Sequence, residues 1–167
     1  LEREAQPGMH STGRSAAMFM ESYGPPGVRA LTRAGRDFYL HPPACFADVP
    51  LMTPRSALFV ATAEQHDALL ALRSELDASG THLSLLNPEQ ILELAPALRP
   101  GLFAEALLDI DGFDMEVHAL LQGFLRGARQ AGAQIVPGAD AVTATHGSAG
   151  WRVALSNADT VQADVLV

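Results

Sequence analysis

The chain opens Leu1-Glu2-Arg3-Glu4-Ala5-Gln6-Pro7-Gly8-Met9-His10-Ser11-Thr12-Gly13-Arg14-Ser15-Ala16-Ala17, and this stretch decides how the remainder is read. Leu1 can close a strand, Glu2 sets a carboxylate at its end, and Pro7-Gly8 turns the chain into a run of small and hydroxyl-bearing residues. Small residues let a backbone approach another molecule closely. Ser11, Thr12 and Ser15 bring hydroxyl donors, and Arg14 brings a permanent positive charge. Two readings stay open on these residues alone. Either a solvated carboxylate precedes a surface loop that caps the next helix, or Glu2 is the acidic residue that ends the second strand of a dinucleotide-binding βαβ unit.

Composition narrows the setting. The 167 residues are 48% hydrophobic and 18% charged, which suits one ordinary soluble domain or portions of two domains of a longer chain. Lys and Arg total 11 against 19 Asp and Glu, a formal charge of -8 that repels phosphate backbones and anionic lipid. Nucleic acid is therefore not an expected partner. Cys45 is the only cysteine, so neither an internal disulfide nor a thiolate metal cluster can form within one chain, and a cytoplasmic location is expected. The longest apolar runs, such as Ala57-Leu58-Phe59-Val60-Ala61, fall far short of the roughly 20 residues needed to cross a bilayer, so no transmembrane segment is expected. The chain starts without Met and stops at the apolar run Ala163-Asp164-Val165-Leu166-Val167, and we expect an internal piece of a longer protein.

Periodicity supplies the elements. Val28, Leu31, Gly35, Phe38 and Tyr39 share one side of a helix predicted over 28–39, with Arg29, Arg33 and Arg36 interleaved and Pro-rich breakers on both flanks. Residues 56–62 read as a buried strand. Thr62-Ala63-Glu64-Gln65 has capping-box form and opens a helix carrying Leu69, Leu72 and Leu76, stopped near Gly80. A strand over 82–86 precedes a helix capped by Asn87, with Pro88 in its first turn. Residues 104–111 read as a strand, and Asp114 is expected to cap a helix over 115–131. That helix has apolar positions Val117, Leu120, Leu121, Phe124, Leu125 and Ala128, and Gly132 ends it. Strands are expected at 134–136 with 141–145, at 151–156 and at 160–167.

In a dinucleotide-binding βαβ unit the second strand ends in an acidic residue that accepts from ribose hydroxyls, and Glu2 stands where such a residue would. The order Glu2, Pro7, Gly8, then Ser11-Thr12-Gly13-Arg14-Ser15-Ala16-Ala17-Met18 closely resembles the segment after the second strand in FAD-dependent glycine/D-amino acid oxidases and dehydrogenases, the DAO-like family. The downstream helix, Gly132-Ala133-Gln134-Ile135-Val136 and Ala141-Val142-Thr143-Ala144 resemble the family's return to its cofactor domain, where a Val holds the adenine through its backbone. Val142 matches that position and reads otherwise as a core valine. The resemblance implies FAD as cofactor, with Glu2, Arg3, Ser11, Thr12, Arg14, Ser15, Ala16 and Val142 as its contacts. It also implies an α/β fold: an incomplete Rossmann-like FAD-binding domain, residues 1–49 and 113–167, with an inserted α+β substrate-domain segment, residues 50–112. The family's G-x-G-x-x-G segment and its later half are absent from this sequence, so the chain alone is expected neither to hold FAD tightly nor to turn over.

The implied activity is hydride transfer from the α-carbon of a small-molecule amine or amino acid to the flavin. Two other readings stand beside it: a catalytically inactive flavoprotein-like binding module, and a hydroxyl-oxidising relative of glycerol-3-phosphate dehydrogenase type. No catalytic residue is assigned. Arg55 and Arg99 are the arginines that a substrate-carboxylate clamp could use, each otherwise a solvated side chain. The six histidines contain no i, i+4 pair, so no metal site is expected. Cys45 is expected to be a buried structural thiol, and Ser11 and Ser15 lack a G-x-S-x-G setting. Asp109, Asp111 and Asp114 lack the downstream Glu of a calcium loop and read as strand-end and capping residues.

Overall fold

The computed structural model describes all residues from Leu1 to Val167 and resolves into two compact units. One comprises residues 1–16, 44–48 and 117–167; the other comprises 17–43 and 49–116.

In the second of these, the chain forms β1 (Met18–Phe19), α1 (Pro26–Leu40), β2 (Met52–Pro54), β3 (Ala57–Ala61), α2 (His66–Ala78), β4 (Ser84–Leu86), α3 (Pro88–Leu94), β5 (Glu105–Asp109) and β6 (Phe113–Met115). β5 is the central strand of an antiparallel sheet in the order β3-β5-β4. Successive strand residues face opposite ways, so the sheet is covered on both sides. Leu107 joins Leu69, Leu76 and Leu83 in one cluster, while Ala106 joins Leu86 and Ile91 in another. A second antiparallel sheet runs β1-β6-β2. Between β5 and β6 the buried Ser22 hydroxyl donates to Asp109, whose other oxygen accepts from the Asp111 amide at 3.0 Å, so Asp109 closes its strand as expected.

The local cap signals form as read. Asn87 accepts from the Gln90 amide at 3.0 Å and Gln90 returns the bond to the Asn87 amide at 3.0 Å, satisfying two otherwise orphaned donors at the start of α3. At Thr62 one arm of the box forms: the Gln65 side chain accepts from the Thr62 amide at 3.0 Å, while the Gln65 amide donates to the Thr62 carbonyl at 2.9 Å, on a short 3₁₀ turn, Ala63–Gln65, that leads into α2.

Asp114, in contrast, does not cap a helix. It lies in β6, paired with Met18 on one side and Thr53 on the other, and its carboxylate accepts from Arg55 at 2.9 and 3.0 Å. Two short strands from distant parts of the chain recruit residues 113–115 before helix geometry can begin. That pairing also commits Arg55 to a protein carboxylate.

α1 departs from its expected polarity in its first half. Arg29 is only 4% exposed, whereas Val28 is exposed and Leu31 is 76% exposed. The Arg29 guanidinium donates to Glu75 on α2, and this charge-assisted bond draws it inward. The second half behaves as read: Tyr39 stands edge-on to Phe19 at 5.8 Å and to Phe38 at 5.5 Å.

The other unit holds α4 (Val117–Gln130) and an antiparallel sheet in the order β7-β8-β9, from Ala141–Gly147, Gly150–Leu155 and Thr160–Ala163. Ala139, Val153 and Leu155 form its buried cluster, with Val161 packed on it. Residues 134–136 form no strand, and the last strand ends at Ala163 rather than at Val167. α4 is seated on residues 44–48, where Arg126 donates to the Phe46 carbonyl at 2.6 Å and the Phe46 ring stands 5.1 Å from that of Phe124. Cys45 in the same segment is exposed, with φ of 65°, rather than buried. The chain is mixed α and β, and no helix is long and apolar enough to cross a membrane.

Candidate functional site

Glu2 is positioned by its backbone. Its amide donates to the Val136 carbonyl at 2.9 Å and its carbonyl accepts from the Ala139 amide at 2.8 Å, while Gly138 donates to the Glu4 carbonyl at 2.9 Å. The first residues thus run beside 136–139, and the chain reaches Val142 three residues later. Val142 is 62% exposed, so it is not a core valine, and it falls at a bulge where the β7–β8 register shifts between Ala141 and Thr143. The Glu2 carboxylate accepts from the Glu4 amide at 3.0 Å.

The loop that follows is folded on itself. Gly13 donates to the Gly8 carbonyl at 2.8 Å and Arg14 to the His10 carbonyl at 3.0 Å. Glycine is required at Gly8, where φ is +90° and a Cβ would lie 2.6 Å from Leu121 Cδ2. At Gly13 a Cβ would collide with the Gly8 carbonyl oxygen. With its backbone bonds turned inward, the loop leaves Ser11, Thr12, Arg14, Ser15 and Ala16 exposed.

A cavity of about 630 Å³ lies between this loop and α4. Thr12, Arg14 and Ser15 line it from the loop, and His118, Leu121 and Gln122 line it from the helix. No Asp or Glu is in its wall. Hydroxyl donors, a guanidinium and no opposing carboxylate fit an anionic, phosphate-bearing group.

The other sequence-selected residues are placed differently. Arg3 is held by Glu4 at 3.2 Å, and His10 meets the same carboxylate at 2.8 Å. The His10 bond, and then the Arg3 bond, keep the Glu4 carboxyl below its ordinary range. Ser11 and Ala16 are exposed on the loop outside the cavity wall. His118 and Gln122 were not singled out by their sequence. They sit at i and i+4 on the polar flank beside Leu121, where nothing in the sequence sets them apart from an ordinary solvated edge of the helix. No group of three or more His, Cys, Asp or Glu side chains is placed to hold a metal ion.

A family model for FAD dependent oxidoreductases, DAO, matches residues 1–167. The chain belongs to the DAO family of FAD-dependent oxidoreductases. The cofactor of this DAO family is FAD, and the α/β fold expected from the resemblance is the one observed. Glycine oxidase from Geobacillus kaustophilus superposes with a TM-score of 0.78 at 18% identity, covering 98% of this chain and 45% of that one. L-alpha-glycerophosphate oxidase from Mycoplasma pneumoniae, solved with FAD bound, gives 0.74 at 15% identity, covering 93% and 42%. L-proline dehydrogenase from P. horikoshii gives 0.69 at 14% identity, covering 91% and 40%. At these identities the likeness to the solved structures is one of fold. The DAO-family chain spans under half the length of each of these proteins.

Proposed function

We propose that this chain is part of a FAD-dependent enzyme that oxidises a small-molecule amine or amino acid by hydride transfer to the flavin. We assign its share of the cofactor site to Glu2, Arg3, Ser11, Thr12, Arg14, Ser15, Ala16 and Val142. The observation that carries the reading is the cavity faced by Thr12, Arg14 and Ser15 with no carboxylate in its wall. The backbone bonds of Glu2 to Val136 and Ala139 support it, because they run the acidic residue beside the segment that leads, three residues on, to the exposed bulge at Val142.

On this reading the hydroxyls of Thr12 and Ser15 and the Arg14 guanidinium hold the diphosphate, Glu2 accepts from ribose hydroxyls, and the Val142 backbone borders the adenine. FAD, when bound, supplies the electron-accepting ring. We assign residues 1–49 and 113–167 to the FAD-binding domain and 50–112 to the substrate domain, with 17–43 and 113–116 packing in the same compact unit as the latter. The single cysteine supports a reducing, cytoplasmic setting, and the charge of -8 argues against nucleic acid.

The amine or amino acid substrate class rests on the resemblance of the loop and on glycine oxidase and L-proline dehydrogenase among the structural neighbours. The glycerophosphate oxidase neighbour keeps a hydroxyl substrate as the second reading. The full-length protein, purified and mixed anaerobically with glycine, D- and L-amino acids, secondary amines and α-glycerophosphate, should show a flavin absorption band that bleaches with an amine or amino acid. A protein that remains colourless with added FAD refutes cofactor binding. Bleaching by α-glycerophosphate alone moves the activity to the hydroxyl class, and a band that nothing bleaches marks an inactive flavoprotein module.

A further inference from the structure

We propose that Leu121 of α4 is a positioning residue for the cofactor loop: seated on Gly8, it holds Thr12, Arg14 and Ser15 in the arrangement that receives FAD. The inference rests on the cofactor reading above and adds to it the residue that shapes the site.

Residues 8–15 form neither helix nor strand and include Gly8 and Gly13. Such a segment loses much conformational freedom when it is ordered, and glycine loses most. A binding site drawn from it bears that cost at each binding event unless the protein has already fixed the loop. Two contacts in series do so here. Leu121 Cδ2 takes the place of a Gly8 Cβ, which would lie 2.6 Å from it. The Gly8 carbonyl in turn accepts from the Gly13 amide at 2.8 Å, and a Cβ on Gly13 would collide with that same oxygen. Gly13 lies between Thr12 and Arg14, two residues of the cavity wall, and the Arg14 amide is fixed on the His10 carbonyl at 3.0 Å. An apolar side chain of the helix is thereby linked, through one carbonyl, to the groups that face the cofactor.

The support beneath Leu121 is itself fixed. Gly123 of α4 packs against Phe46, and Arg126 donates to the Phe46 carbonyl at 2.6 Å. Gly123 is two residues from Leu121, roughly 200° round the helix, so α4 is anchored on residues 44–48 by one side and meets the loop with another. A side chain on a rigid element holds a loop more closely than the loop can hold itself.

The test is a titration of FAD into the apoprotein of the full-length protein, followed by flavin fluorescence, arranged as a double-mutant cycle of Leu121→Ala with Arg14→Ala. Leu121→Ala should weaken FAD binding by about three- to tenfold, the cost of ordering one or two further side chains on binding. Leu121→Met, of similar volume and reach, should restore it. Arg14→Ala should lose about tenfold in the wild-type background but only about twofold where residue 121 is already alanine, because a displaced loop no longer presents the guanidinium. Leu125→Ala supplies the control: Leu125 is one turn on, half-buried like Leu121 and outside the cavity wall, so its loss should lower the urea midpoint and leave FAD affinity unchanged. A Leu121→Ala variant that binds like wild type, or a Leu121→Met variant as weak as Leu121→Ala, overturns the proposal while leaving the cofactor reading intact. Additive losses in the cycle, as a leucine touching FAD on its own account would give, also overturn it, and so does an equal loss from Leu125→Ala. Absence of FAD binding in the wild type overturns both readings.

Discussion

Gly123→Ala should destabilise the protein even though alanine is the better helix former. Gly123 is buried in the middle of α4, where a Cβ would lie 2.5 and 2.6 Å from two ring carbons of Phe46 and 2.7 Å from the Phe46 carbonyl oxygen. Carbon contacts are comfortable only near roughly 3.5–4 Å. The ring packs edge-on against Phe124, and the carbonyl is held by Arg126 at 2.6 Å, so the oxygen cannot retreat without weakening a charge-assisted bond. Helix propensity returns about 1 kcal/mol, overpacking costs about 1–3 kcal/mol, and a weakened bond to a charged group adds up to about 1.5–3 kcal/mol. The net expectation is a loss of about 2 kcal/mol, within a span of about 0–5 kcal/mol. Gly127, one turn on, provides the contrast, because nothing lies within 4 Å of a Cβ built there. Gly127→Ala should gain up to about 1 kcal/mol. Urea unfolding followed by far-ultraviolet circular dichroism reads both, and the two variants should move the midpoint in opposite directions. If Gly123→Ala stabilises as much as Gly127→Ala, the seating of α4 on residues 44–48 is wrong.

Three further outcomes are expected. Leu107→Ala, at a residue 0% exposed in the central strand β5, should cost about 2–5 kcal/mol in denaturant unfolding through the cavity it leaves. Burial raises the Glu21 carboxyl, but hydrogen bonds from Arg36 and Arg33 outweigh it and hold the group below its reference of 4.5. The folded state therefore favours the charged form. This contribution is complete above the unfolded value and is lost as pH falls through the lower folded one, so Glu21→Gln should flatten acid unfolding below about pH 4.5. At neutral pH the same variant should cost about 1–3 kcal/mol, since the side chain is only 15% exposed. Arg14→Ala should weaken FAD binding by about tenfold or more in equilibrium titration, leaving urea stability within about 0.5 kcal/mol, because Arg14 is exposed.

How far each feature could be read from the chain depended on the distance over which its cause acts. Asn87 and Gln90 cap α3 across one turn, and Leu69, Leu72 and Leu76 mark α2 by spacing alone. Apolar periodicity also located α4, and the composition of the loop from His10 to Ala17 pointed to the family. These signals act within a few residues, so neighbours in sequence carry them. The burial of Arg29 was not legible, because the Glu75 carboxylate that draws it inward is on another helix. Asp114 satisfied every local rule for a cap and still became strand, since Met18 and Thr53 pair with it from distant segments.

The site divides in the same way. Glu2, Thr12, Arg14, Ser15 and Val142 were legible as residue types in order along the chain. Only the tertiary structure set Glu2 beside Val136 and Ala139, freed Val142 from the core, and brought His118 to the wall that Arg14 faces. Hydrogen bonds and ion pairs between segments far apart in sequence depend on where the backbone carries them, and no local pattern encodes that distance.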